Sequence, residues 1–199
     1  MSMSILNQQS EFKKPIGDRQ KLFAKCGKIK INIRRMLQKD LMEVARMEKE
    51  MFPAARHWKY DDLFAVIRTP GAGCFVATSK YDDDDILGYV IFNTSRDTSR
   101  EGRRRAPGDN TAEIKTICVA KNRQQQGVGL NMLAEIVRNY KRVLAVVGEY
   151  SLKTQKFFKA CGFECVKIEK EKYRYQAQGA GGNGSEWKVF DGYRFEIDS

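Results

Sequence analysis

The spacing of hydrophobic positions along this chain changes repeatedly, and each change marks an element. Ile29, Ile31 and Ile33 alternate with Lys30, Asn32 and Arg34, the period-two pattern of a half-buried strand. Asp40 can then open a helix whose stripe runs through Leu41, Val44, Ala45 and Met47–Glu48 to Met51, with Pro53 as its stop. A second helix is expected over Tyr60–Arg68, with Leu63, Phe64 and Ile67 on one face and Pro70-Gly71 ending it. Cys74–Ala77 and Ile86–Phe92 read as a hairpin around the acidic run Asp82–Asp85, and residues 95–110 as a long loop of Ser, Arg, Gly, Asp and Pro. Next come a strand over Glu113–Ala120, a helix over Gly127–Arg138 and a continuous apolar strand over Val143–Val147. A short helix over Lys153–Ala160 follows, closed by Gly162 where a left-handed cap is expected. A strand over Phe163–Ile168, a Gly-rich loop over Gln176–Ser185 and a last strand over Trp187–Ile197 complete the order. It is β-α-α-β-β-β-α-β-α-β-β, an α/β fold with a mixed sheet and helices on its faces.

Residues 1–27 show no sustained period and are read as a basic, flexible extension, helical around Gln20–Lys25. One domain is then expected over residues 28–199. Composition narrows the class. Thirty-six Lys+Arg against 25 Asp+Glu give +11, and 42% of residues are hydrophobic. Such a surface attracts phosphates: RNA, DNA or a phosphate-rich cofactor. Part of the excess lies in residues 13–30 and in Arg100, Arg103, Arg104 and Arg105, whose plainer reading is a solvated tail and loop. No apolar run approaches the ~18 residues of a membrane span, and Met1–Ser10 has no signal-like apolar region, so a cytoplasmic protein is expected. The five cysteines stand apart with no Cys-x-x-Cys pair, and the single histidine is His57, so reduced thiols and no metal are expected. Asp82–Asp85 lacks calcium-loop spacing and is read as a solvated turn.

The run Ile117–Leu133 carries the chemistry. A strand ends at Val119, and Gln124-Gln125-Gln126-Gly127-Val128-Gly129 then opens a helix. A helix N-terminus offers unpaired N–H groups and a positive dipole end, and the two glycines allow close approach by an anion. The run is neither a G-x-G-x-x-G fingerprint nor a Walker loop.

With its surroundings, this run resembles the pyrophosphate loop of the GCN5-related N-acetyltransferase (GNAT) superfamily, Q/R-x-x-G-x-G/A. Phe157-Phe158-Lys159-Ala160-Cys161-Gly162-Phe163 resembles the aromatic-x-x-x-G-F box of the same superfamily. Within it, Ile33-Arg34-Arg35, Asp40-Leu41, Phe52-Pro53 and Cys161-Gly162-Phe163 are most similar to ribosomal-protein-alanine and protein N-terminal acetyltransferases. Tyr173 stands where that group carries a Tyr-Tyr pair, with Lys172 in the partner position. The resemblance covers residues 28–197. It implies a mostly antiparallel central sheet splayed between two parallel strands, acetyl-CoA as co-substrate and a protein or peptide amine as acceptor.

On this resemblance the backbone of Ile117, Cys118 and Val119 pairs with the pantetheine. The segment Gln124, Gln125, Gln126, Gly127, Val128 and Gly129 holds the pyrophosphate, and Ser151 and Phe158 occupy further positions beside the cofactor. A neutral amine must be generated, since an α-ammonium has a pKa of ~8 and a lysine ~10.4. The usual base position is Val146 and the usual acidic tyrosine is Phe158, neither able to move a proton. Glu113, six residues before Val119, matches the base position of histone-type members, with Glu149 as a second candidate; a strand-end carboxylate paired with Lys115 is the plainer reading. Tyr150 and Tyr173 are the candidate acids, with Cys161 a weaker one that is more simply structural. His57-Trp58 reads as a packed loop corner or a substrate contact. Two rival functions stay open: acetylation of a small amine such as a polyamine or aminoglycoside, and a catalytically degenerate CoA-binding or ribosome/RNA-associated protein anchored by the basic tail. Deleting residues 1–27 is expected to spare acetyl transfer.

Overall fold

A computed structural model describes residues 18–26, 29–52, 57–94, 110–178 and 185–198. The side chains of residues 174–178 and 185–188 are outside this description. The elements are α1 (Arg19–Lys25), β1 (Ile31–Arg35), α2 (Leu41–Met51), α3 (Tyr60–Val66), β2 (Ala72–Ser79), β3 (Ile86–Thr94), β4 (Thr111–Val119), α4 (Val128–Asn139), β5 (Arg142–Gly148), α5 (Leu152–Ala160), β6 (Glu164–Gln178) and β7 (Ser185–Asp198). The seven strands form one sheet in the order β1-β2-β3-β4-β5-β7-β6, parallel only at β4–β5. This is the expected mixed sheet, with helices on both faces.

Strand alternation sorts the core into two clusters. Ala112, Ile114, Val143, Ala145, Phe195 and Ile197 face Met132, Leu133, Ile136 and Val137 of α4. On the opposite face Val76, Tyr89, Ile91 and Cys118 pack against Leu41, Val44 and Met47 of α2 and Leu63 of α3. Burial of such side chains at ~25 cal/mol per Å² is the main force holding both layers to the sheet.

Two regions differ from the sequence reading. The extension expected over residues 1–27 is not detached at residues 18–26. Helix α1 packs on α4, and Leu22 has no exposed surface and belongs to the first cluster. The Asp18 side chain caps α1, and the Asp18 N–H donates to Gly162 O at 2.7 Å. Arg19 donates to the carbonyls of Val137, Tyr140 and Lys141 at the end of α4, and Lys25 to Ala160 O at the end of α5. Cations on a helix C-terminus satisfy orphan carbonyls and complement the dipole, so these charges are structural. Residues 1–17 and the arginines at 100 and 103–105 lie outside the described residues.

The second difference is length. The strand expected to end at Ile168 continues to Gln178, because β6 passes through two register shifts against β7, at Cys165/Lys167 and Glu169/Tyr173. Such irregularities bend a strand and re-aim its side chains, and they break the alternation by which strands are read.

Candidate active site

The site begins where β4 and β5 part. Their parallel ladder covers Thr111–Ile114 against Arg142–Ala145, while β4 runs on to Val119 and β5 to Gly148. The register of β3 on β4 shifts between Ile91 and Phe92, leaving Lys115 as an extra residue on β4. That bulge lies at the mouth of the gap.

Hydrogen-bond alternation tells which peptide groups face the gap. Ala120 N–H donates to Leu87 O, so in this antiparallel register Cys118 and Thr116 bond to β3 while Ile117 and Val119 turn their groups away from it. Of the three residues expected along the donor, Ile117 and Val119 therefore present backbone to the gap, whereas the peptide groups of Cys118 face β3. The Gln124 side-chain amide reaches Val119 O at 3.3 Å. On the other side, Glu149 N–H donates to Asp191 O, which places Val146 among the residues whose groups point toward β4. The Tyr173 hydroxyl donates to Val146 O at 2.7 Å. Tyr173 thus fills, at the edge of the gap, a bond that the departing β4 does not make.

At the far end of β4 a 3-10 turn over Lys121–Arg123 leads into Gln124–Gly127. Gln125 (φ 61°) and Gly127 (φ 86°) both adopt left-handed backbone. Consecutive turns of opposite hand form a concave nest of N–H groups. The first intrahelical bond of α4 runs from Asn131 N–H to Gly127 O, so the amides of Val128, Gly129 and Leu130 precede any i−4 acceptor within the helix. Asn131 and Gln126 side chains brace the turn by donating to Gly127 O and Asn122 O, both at 2.9 Å. A Cβ on Gly129 would lie 3.2 Å from the Phe157 ring. A concave set of amides at a helix N-terminus fits a pyrophosphate, and a free strand edge fits an extended amide-bearing arm.

Glu113 stands opposite Leu144, two residues before Val146 and thus about 7 Å away along the strand. Its flanking residues Ala112 and Ile114 face α4, so Glu113 points to the α2–α3 side. Lys115 Nζ donates to Glu113 Oε1 at 2.8 Å. The two expected acids differ: Tyr150 is 79% exposed, with its ring edge on Phe190, whereas Tyr173 is half-buried and stacks on Phe190 with centroids 5.2 Å apart. Ser151 is exposed and makes no side-chain cap bond at the start of α5. Phe158, expected beside the cofactor, is instead core. Its ring is 1% exposed and packed among Phe157, Phe163 and Phe195, because the helix turns this position onto the sheet. Burial pushes the Cys161 thiol up to about 12, which removes it as a proton donor near neutrality.

Glu48 and its partner Tyr89 escape a pattern reading. Glu48, fully buried on α2, accepts from the Tyr89 hydroxyl and, at 3.0 Å, from Trp58 N–H. The available signal was a charged residue lying on the apolar stripe of α2.

The sequence matches the model of the Acetyltransferase (GNAT) family over residues 37–163. The chain belongs to this family. It is an acetyl-CoA-dependent N-acetyltransferase. No curated protein matches the sequence. Solved structures match its fold. Arabidopsis thaliana NAA60 with a bisubstrate analogue is 17% identical, covers 84% of this chain and 97% of its own, and has a TM-score of 0.63. The Escherichia coli ribosomal-protein-S18-alanine N-acetyltransferase is 16% identical, covering 84% and 93%, with a TM-score of 0.58. A spermidine N-acetyltransferase SpeG chimera from Vibrio cholerae and hSSAT is 16% identical, covering 85% and 95%, with a TM-score of 0.61. Among the described residues no helix is long and apolar enough to cross a membrane.

Proposed function

We propose that this GNAT enzyme acetylates a protein N-terminal α-amine. The observation that carries this reading is the charge pairing on the floor of the gap, the sheet face that holds Glu113 and, across from Val146, Arg194 with its partner Glu169. Among the described residues two of its carboxylates are matched by the chain's own cations: Glu113 by Lys115 at 2.8 Å, and Glu169 by Lys172 at 2.7 Å and by Arg194. A polyamine is recognised by unneutralised carboxylates, and in a chain of +11 this floor offers it little. A peptide N-terminus carries one charge and hydrogen-bonding amides, which suit Tyr173 and the adjoining β6–β7 hairpin. Similarity of fold to NAA60 and the ribosomal-protein-S18-alanine enzyme agrees with this choice, although the SpeG chimera shares the fold as well.

The chemistry then runs as follows. The amine nitrogen forms a bond to the thioester carbonyl carbon, the C–S bond breaks, and the ammonium proton leaves to a base. Ile117 and Val119 N–H groups hold and polarise the donor. Glu113 accepts the proton, through water, given its distance along the sheet from Val146. The Tyr173 hydroxyl orients the amine or protonates the leaving thiolate; a thiol of pKa ~8.5 also departs unaided. Gln124–Gly129 grip the pyrophosphate, and Ser151 offers a hydrogen bond beside the pantetheine. Tyr150, at the surface, has at most a contact with the acceptor. We place the enzyme in the cytoplasm, with contact to ribosome or RNA through the basic N-terminal segment as an accessory feature.

The test is thiol release from acetyl-CoA against a panel of N-terminal peptides, spermidine and an aminoglycoside. A kcat/KM at least about tenfold higher for a peptide supports the reading, since that corresponds to ~1.4 kcal/mol of transition-state discrimination. Preference for the polyamine would overturn it, and binding without turnover on every amine would mark a degenerate enzyme.

A further inference from the structure

We propose that Glu48 is a positioning residue for acetyl transfer: its buried carboxylate locks the free edge of β4 and the residues just before α3 to one another through Tyr89 and the Trp58 amide. This inference rests on the acetyl transfer of the family and not on which amine is the acceptor.

Glu48 lies on the apolar stripe of α2 with no exposed surface, beside the apolar cluster that includes Leu41, Val44, Met47, Leu63, Val76 and Ile91. A methionine or leucine would fill such a place at lower cost, because burying a carboxylate forfeits its hydration and only its partners offset that. Burial does push the Glu48 carboxyl up, while Tyr89, Trp58 and the nearby His57 hold it down. Both oxygens are used. Oε1 accepts from the Tyr89 hydroxyl, and Oε2 from Trp58 N–H.

Each partner leads to one side of the reaction. Tyr89 is fully buried on β3 opposite Cys118, and its hydroxyl is within hydrogen-bonding reach of both Thr116 and Cys118. Thr116 follows the bulge at Lys115, and Cys118 separates Ile117 and Val119, whose peptide groups face the donor gap. The Tyr89 hydroxyl therefore braces the stretch of β4 that must present its amides to the thioester. Trp58 belongs to the segment between α2 and α3, next to His57, whose Nδ1 is buried without a hydrogen-bond partner. One carboxylate thus joins the donor edge to Trp58, which packs on the core layer of the α2–α3 face, the side to which Glu113 points. Buried networks of this kind fix a unique geometry when every member is satisfied, and a displacement of ~1 Å in an acyl-transfer site costs up to ~100-fold in rate.

The experiment uses the full chain with Tyr89→Phe, Glu48→Gln and the double variant. Acetyl-CoA affinity is read by calorimetry, and kcat and both KM values with the best amine of the panel, at a temperature where circular dichroism shows every variant folded. Tyr89→Phe removes one hydroxyl and keeps the ring. It should lower kcat about tenfold and weaken acetyl-CoA binding, with little change in acceptor KM. Glu48→Gln cannot accept from both partners, so it should add a rise in acceptor KM. The double variant should be no worse than Glu48→Gln, as expected of one coupled unit. Folded variants with kcat, acetyl-CoA affinity and both KM values within about twofold of the parent, or losses that simply add, would overturn the proposal. If Glu48→Gln does not fold, Tyr89→Phe decides by the same criteria. If the parent turns over no amine, the function reading fails, and unchanged acetyl-CoA affinity in Tyr89→Phe would then sink this proposal separately.

Discussion

The placement of one hydroxyl sets Tyr173 apart from Tyr150. Its bond to Val146 O places it where β5 has lost β4 as a neighbour, whereas Tyr150 stands in solvent. Tyr173→Phe retains the stack on Phe190 and removes only the polar end. We expect kcat to fall about 10–100-fold with acetyl-CoA affinity unchanged, measured by steady-state kinetics and calorimetry. Glu113→Gln keeps the size of the side chain and removes its basicity. It should lower kcat by ~100-fold or more at neutral pH while leaving acetyl-CoA binding intact, and retention of full activity would assign the proton to solvent. Both roles depend on where the side chain sits. Glu113 and Tyr173 were readable as candidates from residue type and strand position, but Phe158 was not readable as core, since an aromatic next to a helix end suits a cofactor wall or a hydrophobic layer equally.

At the scale of elements, the turn before α4 and the strap α1 make separate demands. Gly127 has φ 86°, where a side chain costs about 1–2 kcal/mol. Gly127→Ala should therefore distort the amide nest and weaken acetyl-CoA binding about 5–30-fold in calorimetry, with a smaller effect on kcat at saturation. Helix α1 is held by Leu22 in the core and by Arg19 on the end of α4. Leu22→Ala should cost about 2–4 kcal/mol, read as a lowered midpoint in urea. Deletion of residues 1–26 should cost at least as much, so truncation at the end of the basic segment removes structure as well as charge. The basic residues here were visible in the sequence. That Arg19 and Lys25 are spent on helix ends was not, because their partners lie more than 100 positions away.

Over the whole molecule, burial sets the thiol chemistry. Cys74 is pushed up to about 11, and Cys118 and Cys161 to about 12, all by loss of hydration. A folded pKa above the unfolded one means the native state binds more protons, so this contribution to stability is complete below an ordinary thiol value near 9 and is lost as pH rises toward 12. Chemical denaturation from pH 8 upward should show a falling free energy of unfolding in that window, flattened in Cys118→Ala. In the native protein at pH 8, iodoacetamide should modify the exposed Cys165 first, and mass spectrometry should find Cys74, Cys118 and Cys161 protected until unfolding.

The sequence alone determined the order of elements, the mixed sheet and the glycine-bearing turn before α4, because these follow from local period, glycine placement and the helix start that follows Val119. It also carried the family resemblance, which rests on residues close together in the chain. Tertiary structure decided where β4 and β5 part, which of Ile117, Cys118 and Val119 turn their amides into the gap, and which tyrosine reaches it. Those outcomes depend on pairing register, on the one extra residue at Lys115 of β4, and on two irregular stretches in β6 that insert one residue after Cys165 and two between Glu169 and Tyr173. It alone decided, too, that Leu22 completes a core and that Glu48 is buried, since the burial of a side chain is set by partners brought from distant parts of the chain.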